Sequence, residues 1–258
     1  MPAQAGLPPA MTERLKGRAL NPMNTAGMTG DELHTVMGGA PEILKVSRQL
    51  GAELKRQHQA LQWLEGKLPA PRPIAFEEDK AASALWMSRL DGEDASIWCQ
   101  NEAPEKVAEA CALALRRIHE FEWKDCPLSN RLDAKVELAI KRARQGQVEE
   151  YQLDDERKGL PVEKLVEQLA FRPLVEDLVF THGDFCLPNL IFADGELQGF
   201  VDWGRCGIAD RYQDLALLLR SLKYNVGSEM RQVVADAYGI STWDGQKLAY
   251  YQLLDEFF

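Results

Sequence analysis

Two short segments carry the residues with the most chemical potential: His182-Gly183-Asp184-Phe185-Cys186-Leu187-Pro188-Asn189 and, further on, Phe200-Val201-Asp202-Trp203-Gly204. Between them, Asp194-Gly195 is a strong signal for a two-residue hairpin loop. With Ala193 facing Glu196, counting back along an unbroken ladder sets Asn189 opposite Phe200. Asp202 then becomes the diagonal neighbour of Asn189 on the same face, roughly 7–8 Å away at Cα. An amide oxygen and a carboxylate at that separation can share a small hard cation such as Mg2+. Asp184, just upstream, would supply a proton acceptor beside it. Transfer of a phosphoryl group to a hydroxyl uses these parts: a carboxylate to orient the hydroxyl, and metal ions to neutralise the β- and γ-phosphates. It also needs a cation on the nucleotide phosphates, and Lys45, closing the strand-like EILK, is the candidate. A lone HGD, DG or strand lysine is common. The ordered set of lysine, D-x4-N and D-x-G is far more specific.

Elements must position these residues. Residues 27–45 read as short strands around a Gly38-Gly39 turn. A helix is expected over 46–64, with Leu50, Leu54, Gln57, Leu61 and Leu64 on one stripe. The proline-rich stretch 69–76 is extended, and 84–90 reads as a strand running into the Asp91-Gly92 turn. Helices are expected over 104–121, 132–145 and 161–171, the first with proline in its opening turn. A strand at LVFT, the hairpin and three further helices near 210–223, 228–238 and 244–257 complete the chain. Strands early and helices later predict an α+β fold of two lobes. The N-lobe covers 1–88, with residues 1–12 a frayed start, and the C-lobe covers 89–258.

The chain has 258 residues, of which 45% are hydrophobic and 27% charged, enough for a sizeable core and too apolar for disorder. No apolar run is long enough to span a membrane, and MPAQAGLPPA lacks the order of a signal peptide. Thirty basic against 40 acidic residues leave a net charge of −10, which repels nucleic-acid backbones. Five cysteines without a CxxC pair read as reduced thiols of a cytoplasmic protein. The expectation is a cytoplasmic monomer or weak homodimer with no nucleic-acid or membrane partner.

The ordered motifs resemble the kinase-like antibiotic phosphotransferases, and within them the aminoglycoside 3'-phosphotransferase family. The resemblance runs from about residue 27 to the end, through WLEGKLPAP, APEKVAEACALALRRIHE, THGDFCLPN, GFVDWGRCGIADRYQD and LLDEFF. It implies a bilobal, protein-kinase-like fold that uses ATP, with GTP the alternative, together with Mg2+. Asp184 would accept or orient the hydroxyl proton, and Asn189 and Asp202 would hold the metal. Lys45 would pair with the α- and β-phosphates, Thr29 would serve the nucleotide loop, and Met87, Ser88 and Leu90 would lie in the hinge that reads adenine. For a polycationic aminoglycoside of the kanamycin or neomycin type, the resemblance points to Asp154, Asp155 and Glu156 and to Asp255, Glu256 and the terminal Phe258. It adds Arg205 and Arg220 beside the drug. Resistance to such antibiotics would follow.

Some positions depart from the family. The helix glutamate that normally pairs with the lysine is Gln57, which can accept a hydrogen bond but brings no charge; Glu53, one turn earlier, is a substitute. Ile43 stands where some relatives stack an aromatic ring on adenine. Ser221-Leu222-Lys223-Tyr224 replaces frequent acids and would narrow or weaken binding of a polycation. His182 reads as a structural hydrogen bond of the loop, and His119 as a surface or helix-face residue. Asp210 reads as a helix cap and Asp214 as a loop anchor. Two other functions stay open: a kinase of the same fold acting on another hydroxylated acceptor, and a non-catalytic nucleotide-binding protein.

Overall fold

The β-branched and apolar residues of DELHTV, EILKVS and SALWMS build the sheet on which Lys45 sits, with SALWMS an apolar run buried on both faces. In the computed structural model, which describes residues 6–23, 31–48, 53–227 and 229–258, the chain divides into two units. One comprises Met1–Glu93 and Leu190–Arg205; the other comprises Asp94–Asn189 and Cys206–Phe258. The first begins with α1 (Pro9–Arg14), β1 (Leu20–Pro22), β2 (Asp31–Val36), β3 (Glu42–Ser47), α2 (Glu53–Leu64), β4 (Pro73–Glu78) and β5 (Ser83–Ser88). The two-residue β6 (Glu93–Asp94), α3 (Ala95–Trp98), α4 (Pro104–His119), α5 (Leu132–Arg144), α6 (Val162–Gln168) and β7 (Leu178–Thr181) follow. The hairpin β8 (Leu190–Ala193) and β9 (Glu196–Phe200) precedes β10 (Gly207–Asp210), α7 (Tyr212–Val226), α8 (Arg231–Tyr238) and α9 (Gly245–Asp255).

In the first unit the strands pair antiparallel in the order β1-β2-β3-β5-β4. Leu44, Val46, Ala84 and Trp86 point to one face and bury against Met11, Leu15 and Leu20. Since side chains alternate, Lys45 takes the opposite face, with Leu85 directly across from it and Met87 across from Ile43. Of the expected frayed start, residues 1–5 lie outside the described residues, but residues 9–12 are helical: α1 places Met11 in this core together with Leu15, each fully buried. Val46 is also not helical, because its branched side chain completes the core face of β3. The following helix begins at Glu53 and buries Leu54, Gln57, Leu61 and Leu64, the expected stripe, while Leu50 lies outside the described residues.

The hairpin closes through Asp194 and Gly195, both at positive φ. Ala193 faces Glu196 as expected, but a bulge interrupts the ladder. Phe192 faces Leu197 while Ile191 faces Gly199, so Gln198 is the extra residue and Leu190, not Asn189, faces Phe200. Beside the bulge, Gly199 leaves room for a distant segment: a Cβ there would stand 2.6 Å from the Pro69 carbonyl oxygen, which accepts the Phe200 N–H at 3.0 Å. The single cut near residue 88 that a linear reading suggests does not capture this hairpin, which groups with the first 93 residues.

In the second unit α4 starts with Pro104 and buries Val107, Cys111, Leu115 and Ile118, as its spacing predicts. It packs on α7 and α8, and α7 also packs on α9. The short strand β10 pairs antiparallel with β7, Thr181 facing Gly207. Together they fix the segment that leads into His182.

Candidate active site

In the first unit Lys45 is buried, and its ammonium meets both Asp202 oxygens at 3.1 and 3.2 Å and Asp31 Oδ2 at 3.2 Å. Burial works against the charged form, yet Asp202, then Asp31 and then Glu53 outweigh it and hold the Lys45 pKa above its ordinary value. Asp202 itself has φ of +62°, a left-handed backbone that a residue with a Cβ rarely adopts. Gly204 has a separate reason: a Cβ there would stand 2.9 Å from Glu53 Cγ. Glu53 Oε1 lies 3.9 Å from Arg205 Nε. Arg205, expected beside the acceptor with Arg220, therefore sits in this unit against Glu53, whereas Arg220 belongs to the other unit.

Gln57 does not provide the hydrogen bond to Lys45 that its stripe position suggested. It is buried, its Oε1 has no hydrogen-bond partner among the described residues, and the lysine is held by carboxylates instead. In the segment expected to read adenine, Met87 is buried opposite Ile43. The Ser88 N–H donates to the Arg72 carbonyl at 2.9 Å, and the Ser88 hydroxyl accepts from the Arg72 N–H at 2.8 Å. The Arg89 N–H donates to the Pro41 carbonyl at 2.9 Å. Leu90 follows these two committed donors and is half-buried. Thr29 lies outside the described residues.

In the second unit the loop His182-Gly183-Asp184 is fixed from beneath. Asp214, fully buried in the first turn of α7, accepts the His182 N–H at 2.7 Å and the Gly183 N–H at 2.8 Å. Its Oδ2 also lies 3.0 Å from His119 Nε2, and His119 Nδ1 lies 2.7 Å from the Tyr238 hydroxyl. The reading of Asp214 as a loop anchor holds. Of the two readings of His119, surface or helix face, the structure keeps the second: it closes α4, buried, as a member of this chain of hydrogen bonds.

His182 Nδ1 accepts the Asp184 N–H at 3.4 Å, the structural bond expected of it. Asn189 Nδ2 donates to the Asp184 carbonyl at 2.8 Å and to Asp184 Oδ2 at 3.1 Å. The amide nitrogen is thereby spent on Asp184, which turns the amide oxygen the other way. Asn189 itself lies in a short turn one residue ahead of the hairpin ladder, because of the bulge. The diagonal neighbour relation derived from an unbroken ladder therefore does not hold.

A second charged group joins the acidic loop to the end of α9. Arg157 bonds Asp154 and reaches Glu256 Oε1 at 3.4 Å, while the Asp154 N–H donates to Glu256 Oε2 at 3.2 Å. Arg220 bonds Asp255 and lies 3.8 Å from Glu256 Oε1. Burial, and then the neighbouring Asp154, push Glu256 up to about 7 despite the pull of Arg220 and Arg157. Burial alone would lower Arg220, but Asp255, Glu256 and the field of Asp184 raise it. Asp155 and Glu156 are exposed, and Asp155 pairs with Lys158 at 2.6 Å, which keeps its carboxyl below the ordinary range. Phe258 presents its ring to two cations, with Lys135 Nζ 5.1 Å and Arg142 Cζ 5.7 Å from the centroid.

The structure thus brings Asp154, Asp255, Glu256 and Arg220 into one group, and leaves Asp155 and Glu156 outside its hydrogen bonds. Sequence reasoning missed Asp31, Arg157 and the inward role of His119. Arg157 had a faint signal, a cation three residues after Asp154. Asp31 had none beyond sharing a strand face with the residue opposite Lys45.

Residues 24–251 match the phosphotransferase enzyme family. An aminoglycoside 3'-phosphotransferase of Niallia circulans is 36% identical over 248 residues, covering 95% of each chain. The crystal structure of an aminoglycoside-3'-phosphotransferase of type VIII superposes with a TM-score of 0.86 at 33% identity, over 96% of this chain and 97% of that one. An aminoglycoside phosphotransferase of Streptomyces rimosus, in complex with ADP and streptomycin, gives 0.79 at 26% identity over 96% and 95%. With this sheet, this anchored HGD loop and similarity along nearly its whole length, the chain belongs to the phosphotransferase enzyme family, among the aminoglycoside 3'-phosphotransferases, and has their kinase-like fold.

Proposed function

We propose that this enzyme transfers the γ-phosphoryl group of ATP to the 3'-hydroxyl of kanamycin- or neomycin-type aminoglycosides, and so confers resistance to them. The observation that carries this reading is the fixing of Asp184: Asp214 holds the backbone on one side of it and Asn189 bonds its side chain. A carboxylate so restrained is suited to orient an attacking hydroxyl and take its proton. Lys45 binds the α- and β-phosphates. Met87, Ser88 and Leu90 form the adenine-reading segment, with Leu90 the best placed because the N–H groups of Ser88 and Arg89 are already committed. Ile43 leaves GTP as an alternative nucleotide. The first unit is the nucleotide lobe and the second the catalytic and acceptor lobe. No helix of the described residues is long and apolar enough to cross a membrane.

The donor set suits Mg2+. Asp202 already receives a cationic group on both oxygens, and Asn189 has its nitrogen committed so that its oxygen is the available donor. Asn189 and Asp202 would hold the ion, which when bound neutralises phosphate charge. Asp154, Asp255 and Glu256 would receive acceptor ammonium groups. A second reading, another hydroxylated acceptor with fewer amines, is favoured by one observation: Arg157 and Arg220 already neutralise part of that acidic group.

The test is nucleotide-dependent ADP release with kanamycin, neomycin and an aminoglycoside lacking the 3'-hydroxyl. Turnover confined to drugs bearing that hydroxyl is expected. Nucleotide binding without turnover on any of them would reject the aminoglycoside reading.

A further inference from the structure

Lys45 is held by two carboxylates that differ in what else they must do. Asp202 is the acid assigned above to the metal. Asp31 opens β2, and Leu33, two residues on, stands directly opposite Lys45. Asp31 and Leu33 share a strand face, so the Asp31 carboxylate reaches Lys45 diagonally across the ladder, at 3.2 Å. Its side chain is only 19% exposed, which weakens screening of the pair by solvent.

A lysine that serves nucleotide phosphates needs a carboxylate that fixes the ammonium throughout, and kinases take it from the helix after the lysine strand. That helix here offers Gln57, which makes no hydrogen bond to Lys45. Glu53, on the same helix, is 58% exposed and lies against Arg205, so its effect on Lys45 is through space and smaller than that of Asp31. Asp202 cannot fill the post alone. If it were the only counter-ion of Lys45, the ammonium would compete with a divalent cation for the same two oxygens. Two acids solve this: one remains with the lysine while the other is released.

We infer that Asp31 is the positioning residue for Lys45, taking over the role of the missing helix glutamate. The inference rests on the nucleotide-binding reading of the first unit. Gln57 then needs no charge, and its apolar neighbours on α2 pack around a neutral amide.

The experiment combines kinetics with a measurement on the nucleotide-free protein. Asp31→Asn removes the charge at nearly constant shape. Its KM for ATP should rise about tenfold, the worth of one charge-assisted hydrogen bond, with the acceptor KM nearly unchanged. Asp31→Glu should recover part of the loss. In the nucleotide-free protein, loss of one carboxylate lowers the ammonium pKa, so acylation of Lys45 by an amine-reactive reagent at fixed mildly alkaline pH should run several-fold faster. Adding Gln57→Glu to Asp31→Asn should slow it again. Unchanged acylation, or faster acylation with an unchanged KM for ATP, would overturn the role. A wild-type enzyme that turns over no acceptor would defeat the functional reading instead, and the acylation rates would still judge whether Asp31 governs Lys45.

Discussion

The two units hold their charges in opposite ways. In the first, a single cation, Lys45, lies between the carboxylates of Asp31 and Asp202. In the second, two guanidinium groups, Arg157 and Arg220, are threaded through Asp154, Asp255 and Glu256. Fully ionised, each group carries one more negative than positive charge, so each is prepared for one further cation. The first is built on a sheet, where register fixes distance, and its two carboxylates outweigh burial and hold the lysine pKa up. The second joins a loop to a helix end, and burial, then the neighbouring Asp154, lift Glu256 to about 7. One group is a clamp whose lysine keeps its charge at neutral pH, and the other has a charge that changes near neutral pH.

The largest expected effect tests whether chemistry is separable from both charge groups. Asp184→Ala should lower kcat by roughly 10²–10⁴-fold, the usual worth of a positioned acid–base group, while nucleotide affinity stays near that of the wild type. Isothermal binding of the nucleotide and single-turnover rates would measure the two separately. An equal loss of folding stability would assign Asp184 to the scaffold.

Arg157→Gln tests the claim that the second group is partly self-neutralised. Removing the internal cation leaves the Asp154 and Glu256 carboxylates for the acceptor, so KM for an amine-rich aminoglycoside should fall a few-fold with kcat unchanged. The same change should cost about 1–3 kcal/mol of stability, because buried acceptors lose their donor. A rise in KM would instead mean that Arg157 holds the acids in their binding geometry. Gln57→Glu, a smaller perturbation, should leave KM for ATP nearly unchanged in an otherwise wild-type chain, since Asp31 already occupies the ammonium; a marked fall would show an unmet need for charge at Lys45.

What was legible in the sequence follows from the range of the interactions involved. The α2 stripe of Leu54, Gln57, Leu61 and Leu64, the Pro104 helix start and the Asp194-Gly195 hairpin are encoded within a few residues, and the structure keeps them. The HGD loop and its Asp214 anchor were legible as motifs. The bulge at Gln198 was not, because it adjoins the close approach of Gly199 to Pro69, distant in sequence. Asp31 and Arg157 were missed for the same reason: each is an ordinary surface-type charge until tertiary structure sets it beside a partner. Helix α1 is six residues long, too short for periodicity to register, and Met11 and Leu15 show their role only against the sheet.

The smallest predicted effect is the one that most sharpens the contrast between the two groups. A carboxyl group whose pKa is raised in the folded state binds more protons there than in the unfolded chain. Between the ordinary value of 4.5 and about 7, Glu256 therefore contributes stability that is complete below that window and is lost as pH rises through it. Lys45 has the same sign but a different window, its contribution being lost only in the alkaline range above its ordinary 10.5. Urea unfolding across the lower window should show a decline that Glu256→Gln flattens, while the alkaline limb remains. Acceptor binding should run the other way. An ammonium group favours the ionised carboxylate, so acceptor KM should fall as pH rises through about 7, with proton release on binding at lower pH. Nucleotide KM should lack this Glu256-linked change over the same interval, because Lys45, its pKa held above 10.5, keeps its charge there. A parallel pH dependence of both constants would remove the distinction between clamp and titrating group.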